Sequence, residues 1–365
     1  MTPIAIDLLV VVFAAICLYH VELTKPIMQA VHKDYLSVET GTYVRGLLSV
    51  VVLFHHLSMA ARGWVLFTIF SKLGYLTVAV FFFLSGYGLM KQYVCKQGYA
   101  RHFLLRRLPP VLIPYVIATV LYYFLYQFLG EPWSVRAVFK GFLSGTPIVT
   151  ASWYIICILL FYVAFWLLMH LCGSHHKWMV CGAMLYCAAY VLFCKNRGYG
   201  SWWYNTAPVL VLGMFWALHE KKIDALFQKK YWTISVGTAA LFVTVYAAKI
   251  LLRRLMESNW LSLMMTWCVA ALFACCVLMV LMKMRLRNPI LQYLGERSLE
   301  IYLSHYLFIQ LFRTDKLPRI NDFFYVILVV VCTIVFSHLF HYINQKILKG
   351  YMAFLAKNIF LPRGN

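Results

Sequence analysis

Apolar residues in this chain come in runs of about twenty, separated by short clusters of Pro, Gly and charged residues. A helix needs roughly 20 residues, at ~1.5 Å each, to cross ~30 Å of hydrocarbon. The pattern predicts eleven such segments, at 4–20, 45–61, 73–92, 110–129, 152–171, 177–194, 202–218, 231–251, 260–282, 292–312 and 323–345. None alternates polar and apolar positions as the strands of a membrane barrel do, and helices satisfy their own backbone groups in lipid. The expected fold class is an all-α polytopic membrane protein with about eleven transmembrane helices. The first segment lacks a basic leader and a small-residue cleavage site, so it is expected to stay as an anchor.

Composition supports that reading. Hydrophobic residues make up 63% of the chain and charged residues 12%, with a mean hydropathy of +0.76. Soluble domains are about half apolar and a quarter charged. A net charge of +21 suggests nucleic acid at first. The basic residues, however, fall in short loops rather than along one aromatic-interleaved stripe, so no nucleic-acid partner is expected. They read instead as orientation signals and contacts to anionic lipid. The cysteines lie mostly inside apolar segments, as with Cys157, Cys268, Cys275 and Cys332, and show no paired metal-type spacing. No metal site and no bound cofactor are expected.

Alternate loops differ in charge. Those at 21–45, 91–109, 172–177, 219–230 and 283–297, with the tail from 346, carry 21 of the 33 Lys and Arg residues. The basic side is expected to be cytoplasmic, which puts the N-terminus outside and the C-terminus in the cytosol.

One apolar run, "RGLLSVVVLFHHLS" at 45–58, holds ionisable residues that lipid would reject. Eleven steps at ~100° bring His56 back to within about 20° of Arg45, roughly 16 Å higher. His55 points about 80° away from Arg45, on the flank of that face. Ionisable residues at such depth usually face a bundle interior or a wet cavity. The alternative is a histidine that only hydrogen-bonds a neighbouring helix.

Four further stretches join this one. "TYVRGLLSVVVLFHHLS" resembles the R-x10-H helix of the acyltransferase-3 family of bacterial integral-membrane O-acyltransferases, with Arg45 and His56 at the matching positions. "VAVFFFLSGYGLM" resembles that family's F-F-x-x-S-G segment, at Ser85 and Gly86. "ARHFLLRRLPPVLIPYV" resembles its basic motif before a Pro-containing helix, with Arg106 and Arg107. "ASWYIICILLFYVAFWLL" resembles its W-[FY]-[IL] helix, with Trp153 and Tyr154, and "LGERSLEIYLSHYLFIQ" its L-G-x-x-S-x-x-I-Y-L-x-H pattern, with Ser298, Tyr302 and His305. The basic motif departs from the common R-x-x-R, because Pro110 stands where the second arginine is expected. A proline offers an anion neither a side-chain donor nor an N–H.

The resemblance implies transfer of an acyl group, often acetyl, from a cytosolic acyl-CoA to a hydroxyl of a cell-envelope glycan or lipid-linked saccharide. It also implies an acyltransferase-3-like domain over 42–345, preceded by an extra N-terminal helix and connector (1–41) and followed by a basic tail (346–365), in the bacterial inner membrane. His56 is then the candidate general base, because its ordinary pKa lies near neutrality. Arg45, Arg107 and Arg106 become candidates for the CoA phosphates, for which a guanidinium fork is well shaped. His55, Ser85, Trp153, Tyr154, Tyr302 and His305 become candidate lining of the substrate site. Each has a plainer reading: Arg106 and Arg107 as a positive-inside anchor, Ser85 as a small-residue helix contact, Trp153 and Tyr154 as interfacial anchors after a Ser152 cap, His305 and Tyr302 as helix-packing groups. Glu300 is expected to pair with a loop arginine. A transporter or flippase of a lipid-linked saccharide is the rival from another class, since a midplane histidine also suits a translocation path.

Overall fold

The computed structural model describes residues 2–23, 32–252 and 260–360. Among them the chain forms helices α1 (Thr2–Leu18), α2 (Val38–Ala60), α3 (Leu66–Ile69), α4 (Gly74–Cys95), α5 (Phe103–Arg107), α6 (Pro109–Leu129), α7 (Val135–Leu143) and α8 (Trp153–Cys172). These continue as α9 (His176–Asn196), α10 (Val209–Leu251), α11 (Trp260–Leu281), α12 (Pro289–Glu296), α13 (Ser298–Leu311) and α14 (Asp322–Leu355). Two three-residue strands, β1 (Val21–Leu23) and β2 (Met284–Leu286), pair antiparallel. The protein is an all-α polytopic membrane protein, and eight of its described helices are long and apolar enough to cross a bilayer.

Helix ends follow local chemistry. The Ser37 side chain accepts from the Thr40 N–H at the start of α2, and Glu39 sits in the first turn, where the helix dipole favours an anion. Pro109 opens α6, where its missing N–H costs nothing, and Gly130 closes that helix with φ +83°.

The apolar pattern and the structure part company at two places. The segment expected at 292–312 is broken at Arg297 (φ −109°, ψ 10°) into α12 and α13. Arg297 folds back there, its guanidinium 3.8 Å from the Tyr293 ring centroid and donating to the Tyr293 carbonyl. With 14 residues, α13 spans only about 21 Å. The segments expected at 202–218 and 231–251 are joined instead in α10, which starts at Val209 and is interrupted only at Lys230 (φ −134°, ψ 34°). The intervening HEKKIDALFQKK is rich in strong helix formers, so the polar connection stays helical.

Loops expected on the same side gather on the same side. At one end of the bundle β1 meets β2, the Tyr35 hydroxyl donates to Asp224 Oδ1 at 2.9 Å, and Lys91 pairs with Glu220. At the other end Asp7 accepts the N–H groups of Val65, Leu66 and Phe67. There too, Asp322 accepts from the Arg62 N–H and the Arg313 guanidinium.

Two glycine-mediated crossings bring helix backbones close. A Cβ on Gly46 would lie 2.1 Å from the Leu291 carbonyl oxygen, and one on Gly295 would lie 1.9 Å from that of Thr42, so α2 and α12 touch backbone to backbone. Gly86 and Gly213 do the same for α4 and α10, against Leu210 and Phe83. Small residues allow such approach in a membrane, where lipid competes with apolar side chains.

The extra helix α1 is fastened at both ends. Asp7 holds the α3 start, while buried Asn288 caps α12 through Oδ1 and donates Nδ2 to the Ile16 and Tyr19 carbonyls.

Candidate active site

Helix α2 is continuous from Val38 to Ala60, so Arg45 and His56 belong to one rigid element, about 16 Å apart along its axis. The Gly46 contact with α12 fixes the lower part of that element, and α13, one residue beyond α12, carries His305 to the upper part. The His56 and His305 ring centroids are 5.0 Å apart, Tyr306 stands edge-on to His56 at 5.2 Å, and His305 is 1% exposed.

The hydrogen bonds of this pair define its chemistry. His305 Nδ1 lies 3.2 Å from the Ile301 carbonyl. A carbonyl only accepts, so that bond puts the proton on Nδ1 and leaves Nε2 with a free lone pair. His305 Nε2 and His56 Nδ1 are buried with no partner among the described residues. Buried polar atoms are normally bonded, and open ones mark places where chemistry or an unseen group is accommodated. Two neighbouring imidazoles with open nitrogens can accept and pass a proton.

His55 is occupied elsewhere. Its Nδ1 donates to the Phe70 carbonyl at 3.0 Å, and its ring sits where a side chain on Gly74 would be. The helical register assigns it to the flank, and the structure puts it there.

At the Arg45 end lies a cavity of about 700 Å³, within the ~300–1,000 Å³ of typical ligand sites. Arg45, Arg107, Lys91 and Lys33 line it together with the carboxylates of Glu220 and Asp34, so cations outnumber anions two to one. Phe81, Ser85, Tyr154 and Tyr162 also line it. Arg45 Nη2 donates to Thr42 Oγ1 at 2.9 Å. Arg107 donates Nε and Nη2 to the Tyr99 hydroxyl at 3.1 and 2.9 Å. Burial pushes the Tyr99 phenol up, against the pull of Arg107, so it stays a neutral acceptor.

The remaining sequence candidates divide between the cavity and the histidine pair. Ser85 and Tyr154 line the cavity, their oxygens 3.4 Å apart. Tyr302 lies just behind, its ring 5.9 Å from Tyr154 on one side and 5.9 Å from His305 on the other. The rings of Tyr154, Tyr302, His305 and His56 thus form a continuous series from the cavity floor to the histidine pair. Trp153 packs on Phe82 instead, and Arg106 is exposed, outside the cavity lining. Two expectations need correction. Ser152 stands at the α8 N-cap position but makes no side-chain cap, and its hydroxyl reaches Tyr115 at 3.5 Å. The turn before α8 is held from outside, since Tyr302 donates to the carbonyl of Ala151, a residue at φ +64°. Glu300 pairs not with a loop arginine but with His341 Nδ1 and Asn344 Nδ2 on α14, at 3.2 and 3.0 Å.

Sequence reasoning missed Lys91, Glu220, Tyr87 and Tyr306. Opposite charges at the ends of two apolar segments, Lys91 after α4's FFFLSGYGLM and Glu220 within α10's HEKK, were the available signal for the first two. Tyr306 carried one too, four residues after Tyr302 and therefore on its face.

The fold and site define an integral-membrane helical bundle with a cationic cavity at one end and a buried histidine pair beyond its floor. Comparison with protein-family models matches residues 42–342 to the acyltransferase-3 family, described as an acyltransferase domain, and the chain belongs to that family. No curated protein and no solved structure matches it.

Proposed function

We propose that the protein transfers an acyl group, acetyl in the first instance, from a cytosolic acyl-CoA to a hydroxyl of a cell-envelope glycan or lipid-linked saccharide. The observation that carries this is the placement of Arg45 and His56 on one helix, with Arg45 in a cationic cavity and His56 beside His305 beyond the cavity floor. The cavity end carries the more basic loops, and this supports a cytosolic assignment for it, with the N-terminus outside and the C-terminus inside.

In this reading Arg45 and Arg107 hold CoA phosphates inside the cavity, and the pantetheine arm carries the thioester on toward the histidine pair beyond Ser85 and Tyr154. His56 removes the proton from the acceptor oxygen as that oxygen attacks the thioester carbonyl. The new C–O bond forms, the C–S bond breaks, and CoA leaves as a thiolate that takes up a proton. A positioned base of this kind contributes ~10²- to 10⁴-fold. The same base serves a hand-over through an acylated intermediate.

The test is incubation of the purified protein with radiolabelled acetyl-CoA and candidate glycans. Label transferred to a glycan by the wild type and not by His56→Ala supports the proposal. Glycan flux without acylation replaces it with the transporter reading.

A further inference from the structure

The donor cavity has a depth order that sorts its cations. Arg45 lies seven residues inside the start of α2 at Val38, whereas Lys33 precedes that helix. On α4, Ser85 lies six residues inward of Lys91, about 9 Å along the axis. Arg45, Ser85 and Tyr154 are therefore deep, and Lys91 and Lys33 stand at the mouth.

Lys91 is built into this mouth. Its ammonium pairs with Glu220 Oε2, while the Tyr87 hydroxyl donates to Glu220 Oε1 at 2.8 Å. Both carboxylate oxygens are thereby engaged, and Glu220 steadies the lysine. An ammonium has three donors, and the Lys91 side chain remains 42% exposed, which leaves donors for a ligand in the cavity.

An acyl-CoA that reacts beyond the floor enters thioester first, so its groups meet the wall in a fixed order. The pyrophosphate, one pantetheine arm back from the thioester, falls at Arg45 and Arg107. The phosphate on the ribose 3′ position lies farther back, at the mouth. We infer that Lys91, held by Glu220 and Tyr87, is the recognition group for the 3′-phosphate of the CoA donor. This makes the site selective for CoA over pantetheine carriers and nucleotides lacking that phosphate. The inference rests on the acyl-CoA reading of the cavity.

The experiment is calorimetric binding of CoA and of 3′-dephospho-CoA to the full chain in nanodiscs, for the wild type, Lys91→Gln and Lys91→Arg. The wild type is expected to prefer CoA by about tenfold or more, the scale of one hydrogen bond to a charged group. Lys91→Gln should lose that preference while keeping its affinity for 3′-dephospho-CoA, and Lys91→Arg should retain the preference. Lys91→Gln that still prefers CoA, or that weakens both ligands equally, overturns the assignment and leaves the donor cavity standing. A wild type that binds neither ligand overturns the donor reading itself and Lys91's role with it. The same monodispersity in detergent for all three proteins identifies a loss as one of recognition.

Discussion

Gly46→Ala tests whether the backbone contact between α2 and α12 sets the geometry of the site. The added methyl would lie 2.1 Å from the Leu291 carbonyl oxygen and 2.9 Å from the Gly295 nitrogen, both backbone atoms that no rotamer change can move. Restoring an ordinary C···O contact of ~3.3 Å requires the two helices to part by about 1 Å. Strain of this kind costs ~1–3 kcal/mol of stability. The functional effect is larger than the stability effect suggests, because α12 leads directly into α13 and His305, while α2 carries His56. A displacement of ~1 Å at a reacting group costs about 10²-fold in rate, or ~2.7 kcal/mol. The assay is kcat/KM for labelled acetyl transfer alongside thermal unfolding in detergent, with Gly237→Ala as control, since a methyl there meets nothing within 4 Å. Gly46→Ala should lose about two orders of magnitude in rate, and Gly237→Ala should lose nothing. A Gly46→Ala protein with wild-type rate and melting temperature would refute the argument.

Arg45→Ala should weaken CoA binding by tenfold or more, the scale of a charge-assisted hydrogen bond, as read by calorimetry; unchanged affinity removes Arg45 from the donor site. His55→Ala should retain measurable turnover, because its ring packs on Gly74 and bonds the Phe70 carbonyl; an inactive His55→Ala beside an active His56→Ala would mean that the helical register is wrong. Asn288→Ala strips partners from the Ile16 and Tyr19 carbonyls and from two N–H groups of α12. At ~1 kcal/mol for each bond it should destabilise the fold by about 2–4 kcal/mol, and an unchanged melting temperature would show that the α1 clamp is idle.

Much of the architecture was legible because bilayer thickness imposes a length on every apolar run. All eleven predicted segments overlap helices, and among the described residues loops grouped by charge meet at the same ends of the bundle, residues 24–31, 253–259 and 361–365 lying outside the described ones. The break at Arg297 was not legible, since it depends on Arg297 folding onto Tyr293. Nor was the fusion across Lys230, because a polar stretch of good helix formers reads as a loop when only hydropathy is followed. Within the site, the face shared by Arg45 and His56 follows from 3.6-residue periodicity alone. The cavity does not, because its wall is assembled from residues as distant in sequence as Lys33, Lys91, Tyr154 and Glu220, and periodicity carries no information about which helices become neighbours. His305 was visible only as a motif residue, and its open Nε2 beside His56 needed coordinates. Gly86 of α4 was legible beside Ser85 as a small-residue contact, but its partner on α10 was not, and the Gly46 contact with α12 was not legible at all.

The most direct test of the account is single-turnover transfer from radiolabelled acetyl-CoA to an envelope glycan by wild type and His56→Ala, with CoA binding measured on the same preparations. His56→Ala is expected to bind CoA within a few-fold of wild type and to transfer no label. Label transferred by His56→Ala at the wild-type rate would contradict it.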